Sequence, residues 1–141
     1  RFVAIGAGHN RRTLIFDQDV AQAAVLATTH PDAGGRLYNV SDGHYHTLND
    51  IIAAICGALG RRLPLLSLSP GLVRFAAGMI EDTARRLRCA APITRASVDK
   101  YTEDVAVSSQ RIQTQLGFVP RVDLPTGWRE TILAMRQRGE L

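Results

Sequence analysis

The chain is poor in several things, and each shortage removes a class of function. Of 17 basic residues, Lys100 is the only lysine; the rest are arginine. Aromatic residues make up 6%, and the arginines are scattered, often as doublets such as Arg61-Arg62 and Arg85-Arg86. A nucleic-acid interface wants basic residues on one face with aromatics between them. These doublets read as solvated helix faces, and no nucleic-acid partner is expected. Cys56 and Cys89 lack metal or redox spacing, so a reduced, cytoplasmic protein is expected. No apolar run approaches the roughly 20 residues needed to span a bilayer. A basic helix near residues 70–87 could lie on a membrane surface, but Glu81 and Asp82 interrupt its basic face, so no membrane partner is expected.

Catalytic signatures are missing too. Gly6-Ala7-Gly8 is only a fragment of a glycine-rich loop, with no following helix pattern, and carries no dinucleotide argument. Ser67, Ser69, Ser108 and Ser109 lack a G-x-S-x-G elbow. His44 and His46 flank Tyr45, but a zinc site needs three or four ligands and no third is spaced to join them. They read as exposed loop residues, and no metal is expected.

What is present is a soluble-type composition, 45% hydrophobic and 21% charged with a net charge of +4, in a length that makes one domain, 1–141, with a real core. Short strands are expected at residues 2–5, 13–16, 36–40 and 105–107. Residues 63–68 are a strand candidate broken by Pro64, which suits an edge. Asp17 or Asp19 can cap a helix whose Val20, Ala23, Ala24 and Ala27 recur at helical spacing. Thr47 opens the most secure helix: Leu48, Ile51, Ile52, Ile55, Cys56 and Leu59 form one stripe, Asp50 sits in the first turn, and Gly60 ends it. Pro70-Gly71 opens a longer helix with Leu72, Phe75, Ala76, Met79, Ile80, Ala84 and Leu87 on one side. Thr94 caps a short helix bearing Arg95 and Val98. Ser108 or Ser109 caps another that runs to Leu116 and stops at Gly117, and Trp128, Ile132 and Met135 line the last. The fold class is α/β, a small mixed sheet packed by helices.

Four phrases, in order, carry a resemblance. They are Asn10-Arg11-Arg12-Thr13-Leu14-Ile15-Phe16-Asp17-Gln18-Asp19-Val20-Ala21, then Leu37-Tyr38-Asn39-Val40-Ser41-Asp42-Gly43 with Thr47 beyond it, then Leu116-Gly117-Phe118-Val119-Pro120, then Gly127-Trp128-Arg129-Glu130-Thr131. This order resembles the C-terminal part of the extended short-chain dehydrogenase/reductases, the NAD-dependent nucleotide-sugar epimerases and dehydratases such as UDP-glucose 4-epimerase. The resemblance implies the substrate-binding part of a longer enzyme, truncated from its Rossmann half.

It also implies roles. Arg12 is the expected contact to the diphosphate of a nucleotide sugar, since a guanidinium fork makes paired bonds to phosphate oxygens; Arg11 is its solvated neighbour. Arg95 is the second phosphate candidate, ahead of Lys100. Asp19 and Thr47 are structural supports, although Asp17 stands where the family has Val and Gln18 where it has Asp. The family's acid/base is a Tyr with a Lys four residues on. Tyr38, Tyr45 and Tyr101 are followed at that offset by Asp42, Asn49 and Val105. No catalytic residue is therefore assigned. The chain alone is expected to bind no NAD and to be inactive, while the parent binds NAD and works as an isomerase. Within the family, a reductase of keto-sugars or steroid-like substrates is the alternative. From another class comes a non-catalytic binding module. Self-association is expected through the apolar side of the Asp19 helix.

Overall fold

A computed structural model describes residues 4–63 and 67–141. The expectations for residues 2–3, and for 64–66 with Pro64, lie outside the described residues. Two compact units divide the chain: Arg1–Asn10 with Leu63–Asp104, and Arg11–Arg62 with Val105–Leu141.

In the first unit β1 (Ala4–Ile5) pairs in parallel with β4 (Ser67–Leu68), and Gly6 N–H continues the pairing to the Leu68 carbonyl. Helix α3 (Pro70–Arg86) starts with proline in its first turn, where a missing N–H costs nothing. It packs on α4 (Arg95–Thr102), which Thr94 caps by accepting from Ser97 N–H. The large members of the apolar stripe on α3 face outward: Leu72, Phe75, Met79, Ile80 and Leu87 are exposed, while Ala84 of that stripe is buried with Ala77 and Gly78. The reason is that α3 turns its charged side to α4, and only small residues let the two helices approach. Arg88 ends α3 with φ 53, the left-handed slot of a Schellman closure, which glycine fills without strain. Its N–H bonds the Arg85 carbonyl and Cys89 N–H bonds the Ala84 carbonyl.

The second unit carries the larger core. β2 (Arg11–Arg12) pairs antiparallel with β3 (His46–Thr47), and Arg12 also bridges in parallel to Val105. The sheet is mixed, as expected, but short. Residues 13–16 form no strand because their partners change: Thr13 N–H bonds the Val105 carbonyl, while the Leu14 carbonyl accepts from Asp42 N–H. A ladder needs successive bonds to one neighbour. Residues 36–40 also join no ladder; Tyr38 and Val40 instead pack against the core. Of 105–107 only the bridge at Val105 forms.

Helix α1 (Asp17–Thr29) contributes Ala23 to a core with Ala33, Ile112, Leu116 and Phe118. Ala23 therefore leaves the face expected to be exposed, while Val20, Ala24 and Ala27 stay on it. Neither acid caps α1. Its N-cap is Phe16, Asp17 binds the neighbouring Gln18 N–H, and Asp19 turns inward. Helix α5 (Gln110–Leu116) ends at Gly117 with φ 67, as its sequence requires. Ser109 is its N-cap by position but makes no side-chain cap bond; Ser108 Oγ accepts from Gln110 N–H. Helix α6 (Leu124–Gln137), capped by Asp123, packs on α2 (Leu48–Leu59) through Ile132, Ile51 and Ile52.

Thr47 forms a full capping box. Its hydroxyl accepts from Asp50 N–H at 3.1 Å, while its own N–H and hydroxyl donate to Asp50 Oδ2 at 2.9 and 2.7 Å. These bonds, the side-chain one first, hold the Asp50 carboxyl below the usual carboxylate range. The folded pKa is depressed, so the contribution is complete above the unfolded value of about 4 and is lost as pH falls through the folded one. Thr47→Ala is expected to cost about 1 kcal/mol at neutral pH. Urea melts of both proteins across pH check this: the gap should narrow below about pH 4.

Candidate functional site

The two arginines singled out for substrate binding, and the two structural supports named beside them, fall into different units. Arg12, Thr47 and Asp19 belong to the second, Arg95 to the first.

Arg12 sits where three segments meet. Its backbone is registered against His46 on one side and Val105 on the other, with Arg11 carbonyl accepting from Val105 N–H at 2.9 Å. Both neighbours fix the direction of the side chain, which is half-buried. Alternation along the strand sends Arg11 the other way. Arg11 is exposed, and its guanidinium lies 5.9 Å from the Tyr45 ring centre, a cation–π contact. Arg12 is therefore the positioned arginine of the doublet, and Arg11 the surface one.

Directly across from Arg12, His46 bonds the buried carboxylate of Asp42. Opposed residues of an antiparallel pair share a face, so Arg12 and this His–Asp pair lie on the same side of the ladder. Asp42 also accepts from His44 N–H through Oδ1, and its own N–H reaches the Leu14 carbonyl. It thereby ties the 41–46 turn to the segment after β2. His44 is exposed as expected; His46 is not, being drawn in by Asp42. Beside the turn, Ser41 and Ser109 share a buried hydroxyl bond of 2.8 Å, and Gln113 Nε2 donates to Ser109. With Tyr45 and Ser108 they line a small polar pocket of about 260 Å3. Asp42 and Ser41 were not singled out from sequence, and Ser109 was weighed only as a helix cap and a nucleophile; the Asp42-Gly43 turn and the H-x-H were the available signals.

A larger cleft, about 520 Å3, opens between residues 14–18 and α6, lined by Leu14, Phe16, Asp42, Val122, Trp128 and Thr131. Its walls are mostly apolar. Gly127 lets α6 come close here, since a Cβ would stand 3.2 Å from the Phe16 ring.

Asp19 is among the most buried groups, 1% exposed. Both carboxylate oxygens accept from Arg121 N–H at 3.1 Å, and Oδ2 also accepts from Val122 N–H at 3.1 Å. Its role is to fasten α1 to the segment that enters α6.

Arg95 is engaged differently. Its guanidinium bonds Asp82 at 2.8 Å and reaches Glu81 at 3.5 Å, and its backbone N–H also bonds Glu81. It lies over Gly78, where a Cβ would stand 2.5 Å from its Nε. The hydrogen bond from Arg95 holds Asp82 below the usual carboxylate range. Lys100, weighed behind it, is exposed on α4.

The residues present do not fit a dinucleotide site. Gly6 and Gly8 lead into β2, not into a helix whose N-terminus could face a pyrophosphate. No tyrosine has a lysine at the required offset. Among the described residues, no group of three potential metal ligands occurs, and no helix is long and apolar enough to cross a membrane.

No family model matches the chain. The uncharacterized protein YbjS of Escherichia coli is similar, 27% identical over 107 residues that cover 76% of this chain and 32% of the relative. The chain thus spans about a third of that relative's length. The UDP-glucuronic acid 4-epimerase of Bacillus cereus, solved with NAD, is similar with a TM-score of 0.62 and 15% identity, over 96% of this chain and 34% of that one. The dTDP-glucose 4,6-dehydratase of Bacillus anthracis, also solved with NAD, gives 0.63 and 14%, over 99% and 36%. The fold is that of the C-terminal portion of short-chain dehydrogenase/reductase-type enzymes. At these identities the likeness is one of fold.

Removing the Asp19 carboxylate leaves the N–H groups of Arg121 and Val122 without their acceptor. Asp19→Ala is expected to destabilise by about 3 kcal/mol, read as a lower urea midpoint. A loss below about 1 kcal/mol would mean that water replaces the carboxylate.

Proposed function

We propose that this chain is the nucleotide-sugar-binding portion of an NAD-dependent sugar epimerase or dehydratase that works in the cytoplasm. The observation that carries the reading is Arg12: a half-buried arginine at the junction of β2, β3 and Val105, within a fold like that of a UDP-glucuronic acid 4-epimerase. A guanidinium whose base is fixed from both sides loses little freedom when it meets a diphosphate, and its planar fork matches two phosphate oxygens at once.

In this reading Arg12 anchors the diphosphate, and the hydroxyl-lined pocket at Ser41, Tyr45 and Ser108 offers bonds to sugar hydroxyls. Arg95 takes the place of a second phosphate contact only if it gives up Asp82 and Glu81. The catalytic tyrosine, its lysine and the NAD site would come from elsewhere in the parent protein. The sugar would be oxidised there to a keto form; a UDP-glucose 4-epimerase-like enzyme would return the hydride to the opposite face.

The test is UDP affinity in the protein that joins this chain to a dinucleotide-binding half. Arg12→Ala is expected to weaken UDP by one to two decades, about 1.5–3 kcal/mol for a charge-assisted bond, and NAD far less. Arg12→Lys should recover part of the loss, and Arg11→Ala should cost little. If Arg11→Ala is the more damaging, or Arg12→Ala leaves UDP binding unchanged, the anchor is misassigned.

A further inference from the structure

Helix α3 pairs Arg74, Glu81 and Asp82 with residues of α4 and carries its large apolar side chains outward. Arg74 bonds Asp99 of α4 at 2.8 Å. Glu81 and Asp82 both take Arg95, and Arg85 leans on the same two acids. On the other side Leu72 and Phe75 are each 69% exposed, Met79 60% and Leu87 72%. With 3.6 residues to the turn, Leu72, Phe75, Ala76 and Met79 share a face, and the stripe runs roughly 22 Å from Leu72 to Leu87. Arg86 stands in line with Leu72 and Met79 at the C-terminal end of that stripe. Arg88 follows just past the helix, and both arginines are exposed.

We propose that this face of α3 lies on an anionic lipid surface, in the plane of the membrane. The acids that interrupt the basic face in the sequence are the reason to expect no membrane contact. Folding pairs both with Arg95 of α4, although the Asp82 side chain stays 45% exposed, and beside them runs a face of leucine, phenylalanine, methionine and isoleucine ending in arginine. That is the composition of an interfacial helix: the apolar side chains enter the acyl boundary, and the arginines reach lipid phosphates along their aliphatic stems. A second copy of the chain fits less well. Two α3 helices packed antiparallel would set Arg86 of each against Leu72 of the other, while Glu81 and Asp82, the acids that could accept it, are held by Arg95 on the α4 side. A buried arginine without an acceptor is costly; a lipid phosphate removes that problem. The proposal uses no residue of the Arg12 site, and it requires that the α3 face stay uncovered where the chain is joined to a dinucleotide-binding half.

Co-sedimentation of the 141-residue chain with vesicles tests it. The chain should pellet with vesicles of mixed phosphatidylglycerol and phosphatidylcholine, should stay in solution with phosphatidylcholine alone, and should be released as salt rises. Phe75→Ser should lower the partition coefficient about tenfold, and Arg86→Glu by about as much. Both positions are exposed, so circular dichroism should be unchanged. Sedimentation equilibrium without lipid is the second arm. Failure to pellet with anionic vesicles would overturn the proposal. So would binding that ignores both substitutions, or a lipid-free dimer abolished by Phe75→Ser, which would give the face to a second copy.

Discussion

The second unit depends on one buried carboxylate. Asp19 lies near the start of α1, and its acceptors serve backbone N–H groups more than a hundred residues later, at Arg121 and Val122. A charged group is costly to bury unless its oxygens are hydrogen-bonded, and here each oxygen accepts from at least one fixed donor. The return is geometric. Fastening residues 121–122 sets where α6 begins, and α6 in turn covers the apolar side of α2. Ala23, on the same helix as Asp19, belongs to the core with Ile112, Leu116 and Phe118. Hydrophobic contact fills the space, but the carboxylate decides which segment fills it.

The same unit positions the arginine on which the functional reading rests. β2 is only two residues long, yet it is held by β3 and by Val105. Asp42 steadies the turn before β3 by bonding His44, His46 and, through its N–H, Leu14. Capping by Thr47 then begins α2 immediately after β3. A short ladder braced in this way gives a better-fixed side chain than a loop would, and diphosphate recognition by an arginine fork needs that fixity.

Local chemistry was legible in the sequence; long-range partners were not. The Thr47-Asp50 box, Gly60, Gly117 and the Thr94 start are rules satisfied within one turn, and the structure contains each in its place. Asp19 was read as a cap because an acid in a first turn usually serves its own helix; nothing in the spacing points to Arg121. His46 was read as exposed because its partner, Asp42, is a turn residue whose burial depends on Leu14. The strand at 13–16 failed because periodicity describes a side-chain pattern and not the identity of the neighbours. On α3 the helical stripe was legible, but which face would turn inward was not. Amphipathicity gives two faces, and the ion pairs with Asp99 and Arg95 chose which one the protein keeps.

The claim that the Arg12 junction is the phosphate site can be tested on the chain itself by titrating UDP at millimolar concentration into 15N-labelled protein and following the backbone amides. The account predicts that the amides of Arg12, Thr13, His46 and Val105 shift together along one saturation curve, with the α6 amides beside Trp128 much less affected. Shifts confined to the Trp128 cleft, or none at Arg12 and His46 at any concentration reached, would contradict it.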